Sequence, residues 1–183
     1  KEAEDMLRKV RKLIKENEKH SREVADEVRK LVEDNDRKVD EVHERNRKLI
    51  TDLRRLAEEG RVREKDVKAV LEEIEKSLRE LRKHSRDVLK RIDDLLKENE
   101  KHSREVLKEI KRLLDELKKE DKDSERLKTV VTELEKRARD SLEKSKEINK
   151  RLREELKRSE ERVERLVRKS EEEAKKVLDD VRR

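Results

Sequence analysis

The stretch KENEKHSREV occurs twice in the chain, at residues 15–24 and again at residues 97–106. In each copy Asn and His lie three positions apart and Ser follows the His, as in Asn17, His20 and Ser21. Positions i, i+3 and i+4 share one face of a helix, and apolar residues continue that face on both sides. The repeat therefore predicts polar groups on the buried face of two helices, where they form hydrogen-bonded layers inside a helical bundle.

The composition is typical of long helices. Of the 183 residues, 59% are charged and 29% are apolar, with one Gly and no Pro, Cys or aromatic residue. A chain with so much charge is disordered unless its apolar residues recur with a helical period, and here that period is sustained. The absence of every aromatic side chain is an indication of an artificial sequence.

The charge pattern argues against nucleic-acid and membrane partners. The formal net charge is +6, but the 57 basic and 51 acidic residues alternate closely along the chain. This alternation favours a solvated surface with i,i+4 ion pairs over a basic face that follows a phosphate backbone. No apolar run approaches the ~20 residues of a membrane span. We therefore expect a soluble protein with no natural compartment, cytoplasmic on recombinant expression.

Three segments show the helical period, which predicts helices at about 2–59, 64–119 and 124–182. Gly60 follows the first segment, where the residue after a helix C-cap belongs. Residues 119–124 interrupt the pattern and offer Asp123 or Ser124 as an N-cap. The loops, at about 60–63 and 120–123, are short. We therefore expect an all-α fold: one coiled-coil-like, up-down-up bundle of three long, nearly straight antiparallel helices over residues 1–183.

The apolar stripe of the second helix is wider than a closed pair of helices needs. Its flank is rich in leucine, from Leu71 to Leu114. A bundle-facing helix has about three apolar positions in seven, and this chain meets that number either as a closed monomer or with a further helix added. The leucine flank favours an open surface that a designed partner chain or a second copy completes.

The antiparallel arrangement predicts which polar residues share a level. If the first hairpin folds about residue 61 and the second near 121–122, His20, His102 and Ser141 lie level with one another. Two polar layers result, and they penalise alternative helix registers because unpaired buried polar groups are costly. The first layer comprises Asn17, His20, Asn99, His102, Ser141 and Ser145. The second comprises His43, Asn46, Ser77, His84 and Ser159.

The histidines are best explained as neutral imidazoles in these layers. A metal site needs three or four converging ligands, and without Cys or an HxxxH pair we predict no metal and no cofactor. Ser21, Ser85 and Ser103 follow a His in sequence and do not face it squarely on a helix, so we predict no catalytic pair and no enzyme. Buried neutral His also makes acid sensitivity a second hypothesis, since the stability it contributes is lost as the pH falls below ~6.5.

Several features of the sequence together extend over the whole chain. They are the two decapeptides, the variant LRKHSRDV at 81–88, the idealised helix lengths and the lone loop glycine. In these features the chain resembles de novo designed helical bundles with buried hydrogen-bond networks. The resemblance implies a scaffold or assembly module with no natural biochemical activity, other helical chains as partners, and in some cases a pH response. We expect no nucleic-acid, membrane or small-molecule partner. A natural coiled-coil spacer, spectrin-like, is the alternative, but its irregular stutters and scattered core aromatics are missing.

Overall fold

Three long helices account for nearly all of the chain. The structure, a computed structural model, describes residues 2–120 and 122–182. The helices are α1 (Glu2–Glu58), α2 (Glu64–Glu120) and α3 (Glu125–Arg182), and no strand occurs within those ranges. The predicted all-α bundle of three packed helices is confirmed. The predicted helix ends fall within one residue of the observed ones, although Glu120, placed in a loop, is still helical and residue 121 lies outside the described ranges.

The C-terminus of α1 ends as the sequence predicts, at the glycine. Gly60 has a φ of 68°, in the left-handed region that side chains disfavour. Its N–H donates to the carbonyl of Ala57 at 3.1 Å, and the N–H of Arg61 donates to the carbonyl of Leu56 at 3.0 Å. These two bonds form a Schellman motif, which satisfies carbonyls that the helix end leaves unpaired.

The N-terminus of α3 is capped by Ser124, one of the two residues that the sequence offered. Its Oγ accepts the N–H of Leu127 at 3.2 Å, and its carbonyl accepts the N–H of Lys128 at 3.2 Å. This side-chain bond satisfies one of the four N–H groups that a helix N-terminus leaves free.

The contacts divide the chain into two compact units, each with residues from all three helices. The first unit contains the described residues up to Arg29 and those of Ile92–Glu154; the second contains Lys30–Arg91 and the described residues from Glu155 onward. The core of the first unit contains Val10, Ile14, Ile110, Leu113, Leu114, Leu117, Val131, Leu134 and Ala138. The core of the second unit includes Val39, Ile50, Leu53, Val67, Ile74, Leu81, Val163, Val167 and Val177.

The buried face of α2 keeps about half of the predicted stripe, such as Val67 and Ile74, and in the other rows buries the next residue along the chain. Leu71, Leu78, Leu89 and Leu96, expected on an open flank, are buried. The neighbouring positions on the predicted stripe, such as His84 and Val88, are only half-buried. One residue is a rotation of about 100° on a helix, so in those rows the flank residue faces the core and the stripe residue lies at its edge. The expected open leucine surface is therefore wrong, and the described residues include no exposed large apolar side chain.

Candidate functional site

Each helix contributes one Asn and one Ser, four positions apart, to the interior of the first unit. Residues four apart lie one above the other on a helix face, so each pair enters the core as a two-residue polar step. All six side chains are between 1 and 5% exposed. They are Asn17 and Ser21 on α1, Asn99 and Ser103 on α2, and Ser145 and Asn149 on α3.

The first half of this network joins α1 to α2 and α3 through hydroxyl groups. The Oγ of Ser103 donates to Oδ1 of Asn17 at 3.1 Å. It also lies 3.3 Å from the Oγ of Ser145, which in turn lies 3.1 Å from the Oγ of Ser21. A serine on α3 therefore touches one serine from each of the other helices.

The second half continues through amide groups. The Oγ of Ser21 donates to Oδ1 of Asn99 at 3.4 Å, and Nδ2 of Asn99 donates to Oδ1 of Asn149 at 3.1 Å. Five contacts thus connect six side chains in one unbroken chain. We name these six residues the hexad.

The hydroxyl protons of the hexad are fewer than its hydroxyl contacts. Three serines supply one proton each, but four contacts involve a serine hydroxyl. With Ser103 donating to Asn17 and Ser21 donating to Asn99, Ser145 can donate to only one of its two serine neighbours. Rotating the side-chain amides of Asn99 and Asn149 together by 180° gives every contact a proton. Asn99 then donates to Ser21, Ser21 donates to Ser145, and Ser145 donates to Ser103.

The structure places the residues predicted for the first layer in three environments. Asn17, Asn99 and Ser145 lie in the hexad. Ser141 is buried, but its Oγ has no hydrogen-bond partner among the described residues, and it lines a cleft of about 320 Å³ between α1 and α3. His20 and His102 lie at the edge of the hexad, outside its hydrogen bonds.

The two edge histidines contact each other. Both rings are half-buried, and their centroids are 4.4 Å apart with the ring planes tilted by 57°. These imidazoles were predicted as members of the network, but the hydrogen bonds of the hexad do not include them. The serine that follows each histidine enters the core instead. In these rows the buried face lies one position further along the chain than predicted, so Ser21 and Ser103 are buried and His20 and His102 are half-buried.

The residues predicted for the second layer do not form a single layer. The second unit instead contains separate hydrogen-bonded pairs, and Asn35 and Asn46 on α1 are eleven residues apart, or about 16 Å along the helix. His84 belongs to none of these pairs. The pairs are Ser85 to Asn35 at 3.0 Å, Ser159 to Asp36 at 3.1 Å, His43 to Ser170 at 3.3 Å and Ser77 to Asn46 at 3.1 Å.

Two of these pairs leave an amide group unpaired. Asn35 and Asn46 are each 1% exposed, and each has Oδ1 beside a serine hydroxyl; the one proton of Ser77 is shared between Asn46 and the carbonyl of Ile74, which is 2.9 Å away. The Nδ2 atom of each has no hydrogen-bond partner among the described residues. A buried donor left in this way costs about 1–3 kcal/mol, so these pairs specify register at a higher cost than the hexad does.

Several residues of the observed pairs were not among the predicted site residues. The signal was present in the sequence, because Asn and Ser are four positions apart in both decapeptides, and that spacing marks a shared face more closely than Asn and His at three. The missed residues are Ser21, Asn35, Asp36, Ser85, Ser103, Asn149 and Ser170.

Charged residues beside the hexad form a small ion-pair cluster on α2 and α3. Arg153 donates to Asp93 at 2.7 Å and to Glu100 at 3.2 Å, while Lys97 lies 2.9 Å from Asp93. Hydrogen bonds from Lys97 and Arg153 lower the pKa of Asp93. All four groups keep contact with solvent, so we expect the cluster to contribute modestly to stability.

Two simple kinds of site, a metal cluster of three or more ligands and a membrane-spanning helix, are absent from the described part of the chain. Within residues 2–120 and 122–182, no group of three or more His, Cys, Asp or Glu side chains is arranged to hold a metal ion. No helix in those ranges is long and apolar enough to span a membrane.

Comparison with known proteins identifies the architecture. No protein-family model matches the sequence, and no curated protein matches it. A solved structure described as a computationally designed three helix bundle matches with a TM-score of 0.56 at 17% identity, over 98% of this chain and 88% of that chain. The chain is therefore a three-helix bundle, similar in fold to a computationally designed one.

Proposed function

We propose that the protein is a designed structural scaffold without catalytic activity, in which buried Asn and Ser side chains specify how the helices align. The observation that carries this proposal is the hexad, in which every helix supplies an Asn and a Ser to one connected chain of hydrogen bonds. The absence of aromatic residues and the similarity in fold to a designed bundle support an artificial origin.

The energetics of the hexad favour a role in specificity. Each buried neutral hydrogen bond contributes about 0.5–1.5 kcal/mol net, whereas each polar group left buried and unpaired costs about 1–3 kcal/mol. If one helix moves by a turn, leucines meet other leucines at little cost, but the polar steps of the hexad lose their partners. Several such losses are comparable to the whole stability of a domain, about 5–15 kcal/mol.

The test compares a fully apolar hexad with a partly apolar one. We expect the six-fold variant to melt at the same temperature as the parent or higher, because replacing all partners together leaves no unpaired group. We also expect it to lose its single state, seen as broadened NMR amide signals and several masses by light scattering. Its substitutions are Asn17→Leu, Ser21→Ala, Asn99→Leu, Ser103→Ala, Ser145→Ala and Asn149→Leu.

The matched control changes α3 alone, with Ser145→Ala and Asn149→Leu. This variant leaves Nδ2 of Asn99 without a partner and removes the contacts of Ser21 and Ser103 with Ser145, so we expect a lower melting temperature than the parent and still one species. A six-fold variant that retains one mass and a well-dispersed spectrum contradicts the proposal, because the hexad then adds nothing to specificity.

A second candidate function is assembly with a second copy of the chain. It is favoured by a cleft of about 400 Å³ between α2 and α3 of the second unit, with Leu71, Ile74 and Leu178 among its apolar lining residues. Its rim carries both signs of charge, including Arg79 and Glu171. An exposed helix face of a second copy, on which acidic and basic residues alternate, complements such a rim.

Light scattering on a sizing column tests this assembly. Twice the single-chain mass of 22.3 kDa supports it, provided that the charge reversals Arg79→Glu and Lys175→Glu return the protein to one chain. A mass of 22.3 kDa over a wide concentration range rejects it and leaves a monomeric scaffold. The proposed role of the hexad is unaffected by either result.

A further inference from the structure

We propose that His20 and His102 together form a two-histidine binding site for a divalent transition metal ion, joining α1 to α2 at the edge of the hexad. The two rings are the only histidine pair in contact within the described residues, with centroids 4.4 Å apart. They come from different helices and are 82 positions apart in sequence. A ligand spacing within one helix, such as HxxxH, therefore does not reveal this pair.

The geometry fits two imidazole ligands on one ion. Imidazole nitrogen binds such ions at about 2.0–2.1 Å, so two nitrogens at a tetrahedral angle lie roughly 3.3 Å apart. Rings with centroids 4.4 Å apart can present nitrogens at that separation after small rotations. Both rings are half-buried, so part of each remains accessible to the ion and to the water molecules that complete its coordination.

Acidic residues flank both histidines on the same helix faces. The repeated decapeptide places a glutamate four positions before and three positions after each histidine, hence on the same helix face. All of these glutamates are exposed, and the ion pairs of Glu16 with Lys12 and of Glu23 with Lys19 are long, at 4.0 Å each. These glutamates are Glu16, Glu23, Glu98 and Glu105.

The other two histidines lack this arrangement. His43 lies 3.3 Å from the hydroxyl of Ser170. His84 has a similar acidic flank, from Glu80 and Asp87, but no second imidazole beside it among the described residues. His84 therefore provides a matched control, since it has the local sequence of the site without the second ligand.

A metal ion held by both rings stabilises the folded chain, because the unfolded chain does not bring residues 20 and 102 together. The unfolding equilibrium constant falls by the factor 1 + [metal]/Kd, which is about 100-fold at a hundred times Kd. Imidazole ligands bind Co²⁺, Ni²⁺ and Cu²⁺ with increasing affinity and have little affinity for Mg²⁺. The stabilisation is expected to follow that order.

The experiment measures thermal and urea unfolding of protein without an affinity tag, at pH 7.5, with Co²⁺, Ni²⁺, Cu²⁺ or Mg²⁺ at about 1 mM. We expect the first three ions to raise the melting temperature of the parent and of His84→Gln, and to leave those of His20→Gln and His102→Gln unchanged. Electron paramagnetic resonance of Cu²⁺ bound to the parent is expected to show two nitrogen ligands.

Three results overturn the proposal. One is a parent whose melting temperature does not respond to Ni²⁺ or Cu²⁺. Another is an equal response in His102→Gln, which assigns the effect to a single imidazole. The third is an equal response to Mg²⁺, which assigns it to the carboxylates alone. If a variant fails to fold, the nitrogen count from the parent's Cu²⁺ spectrum decides the question.

Discussion

At the scale of single residues, Asn99 is the member of the hexad that connects its hydroxyl half to its amide half. It accepts a hydroxyl from α1 and donates its amide to α3, so it links three helices through one side chain. Ser21, by contrast, retains a second contact, to Ser145, when Asn99 is lost. Substitution of Asn99 therefore affects the amide of Asn149 most directly.

We expect Asn99→Leu to lower the free energy of unfolding by about 1–3 kcal/mol, the cost of stranding buried polar partners. Urea denaturation followed by circular dichroism measures it. Leu96→Met, a change of similar volume at a buried apolar position of the same helix, is the control and is expected to cost under about 1.5 kcal/mol. Equal stability of Asn99→Leu and the parent contradicts the hydrogen bonds of the hexad as described.

His84 makes stability depend on pH. Burial, followed by the positive charge of Lys38, lowers its pKa from the ordinary value of 6.5, while Asp87 opposes the shift. Because the folded pKa is the lower one, the stability contribution is present above pH 6.5 and is lost as the pH falls through the folded pKa. We expect the melting temperature to fall less for His84→Gln than for the parent between pH 7.5 and pH 5. A parallel fall in both proteins assigns the acid sensitivity to other groups.

The residues of the hexad were only partly predictable. Asn17, Asn99 and Ser145 followed from the stripe, but the choice between each histidine and the serine after it depended on a rotation of about 100°. A pattern of apolar residues on both sides of that choice does not fix it, since Leu13 and Ile14 widen the stripe in α1. Packing of the flanking leucines in α2 decided in favour of serine.

At the scale of helices, the ends are set by local chemistry. The Schellman motif at Gly60 depends on a positive φ, and a Cβ added there meets no atom within 4 Å. The cost of a side chain at this position is therefore conformational and not steric. Because such signals lie within a few residues, the sequence predicted the helix bounds more accurately than the pairing across helices.

We expect Gly60→Ala to destabilise the protein by about 1–2 kcal/mol, the cost of a left-handed conformation for an L-residue with a Cβ. Gly60→Asn should cost less, since Asn tolerates this conformation better. Thermal unfolding of the two variants beside the parent measures the difference. An alanine variant as stable as the parent shows that the loop relaxes to a negative φ.

At the scale of the whole molecule, the fold class followed from composition and period alone. The register of the helices was predicted less well. The fold point of the second hairpin was expected near 121–122. Asn99 pairs with Asn149 and Ser103 with Ser145, which places the fold point near 124. The helices α2 and α3 therefore meet in a register that differs by several residues from the predicted one. The loop between them contains too few signals to fix that value.

The closely mixed charges predict weak dependence on salt. The net charge is only +6 for 57 basic and 51 acidic residues, and most of the ion pairs lie at the surface. Exposed pairs contribute about 0–1 kcal/mol each and are screened together with the repulsions between like charges. We expect the melting temperature to change by only a few degrees between about 0.02 and 1 M NaCl. A large decrease indicates an ion-pair network that stabilises the fold.

The repeated decapeptide also gives the hexad a local two-fold axis. Asn17 bonds Ser103 and Asn99 bonds Ser21, so one interaction occurs twice between antiparallel copies of the same ten residues, and the contact of His20 with His102 lies on the axis. Only α3 breaks the equivalence, since Asn149 binds Asn99 and not Asn17. Equivalent substitutions in the two copies, Ser21→Ala and Ser103→Ala, should therefore cost equal free energy apart from what α3 contributes. Their difference measures that contribution directly.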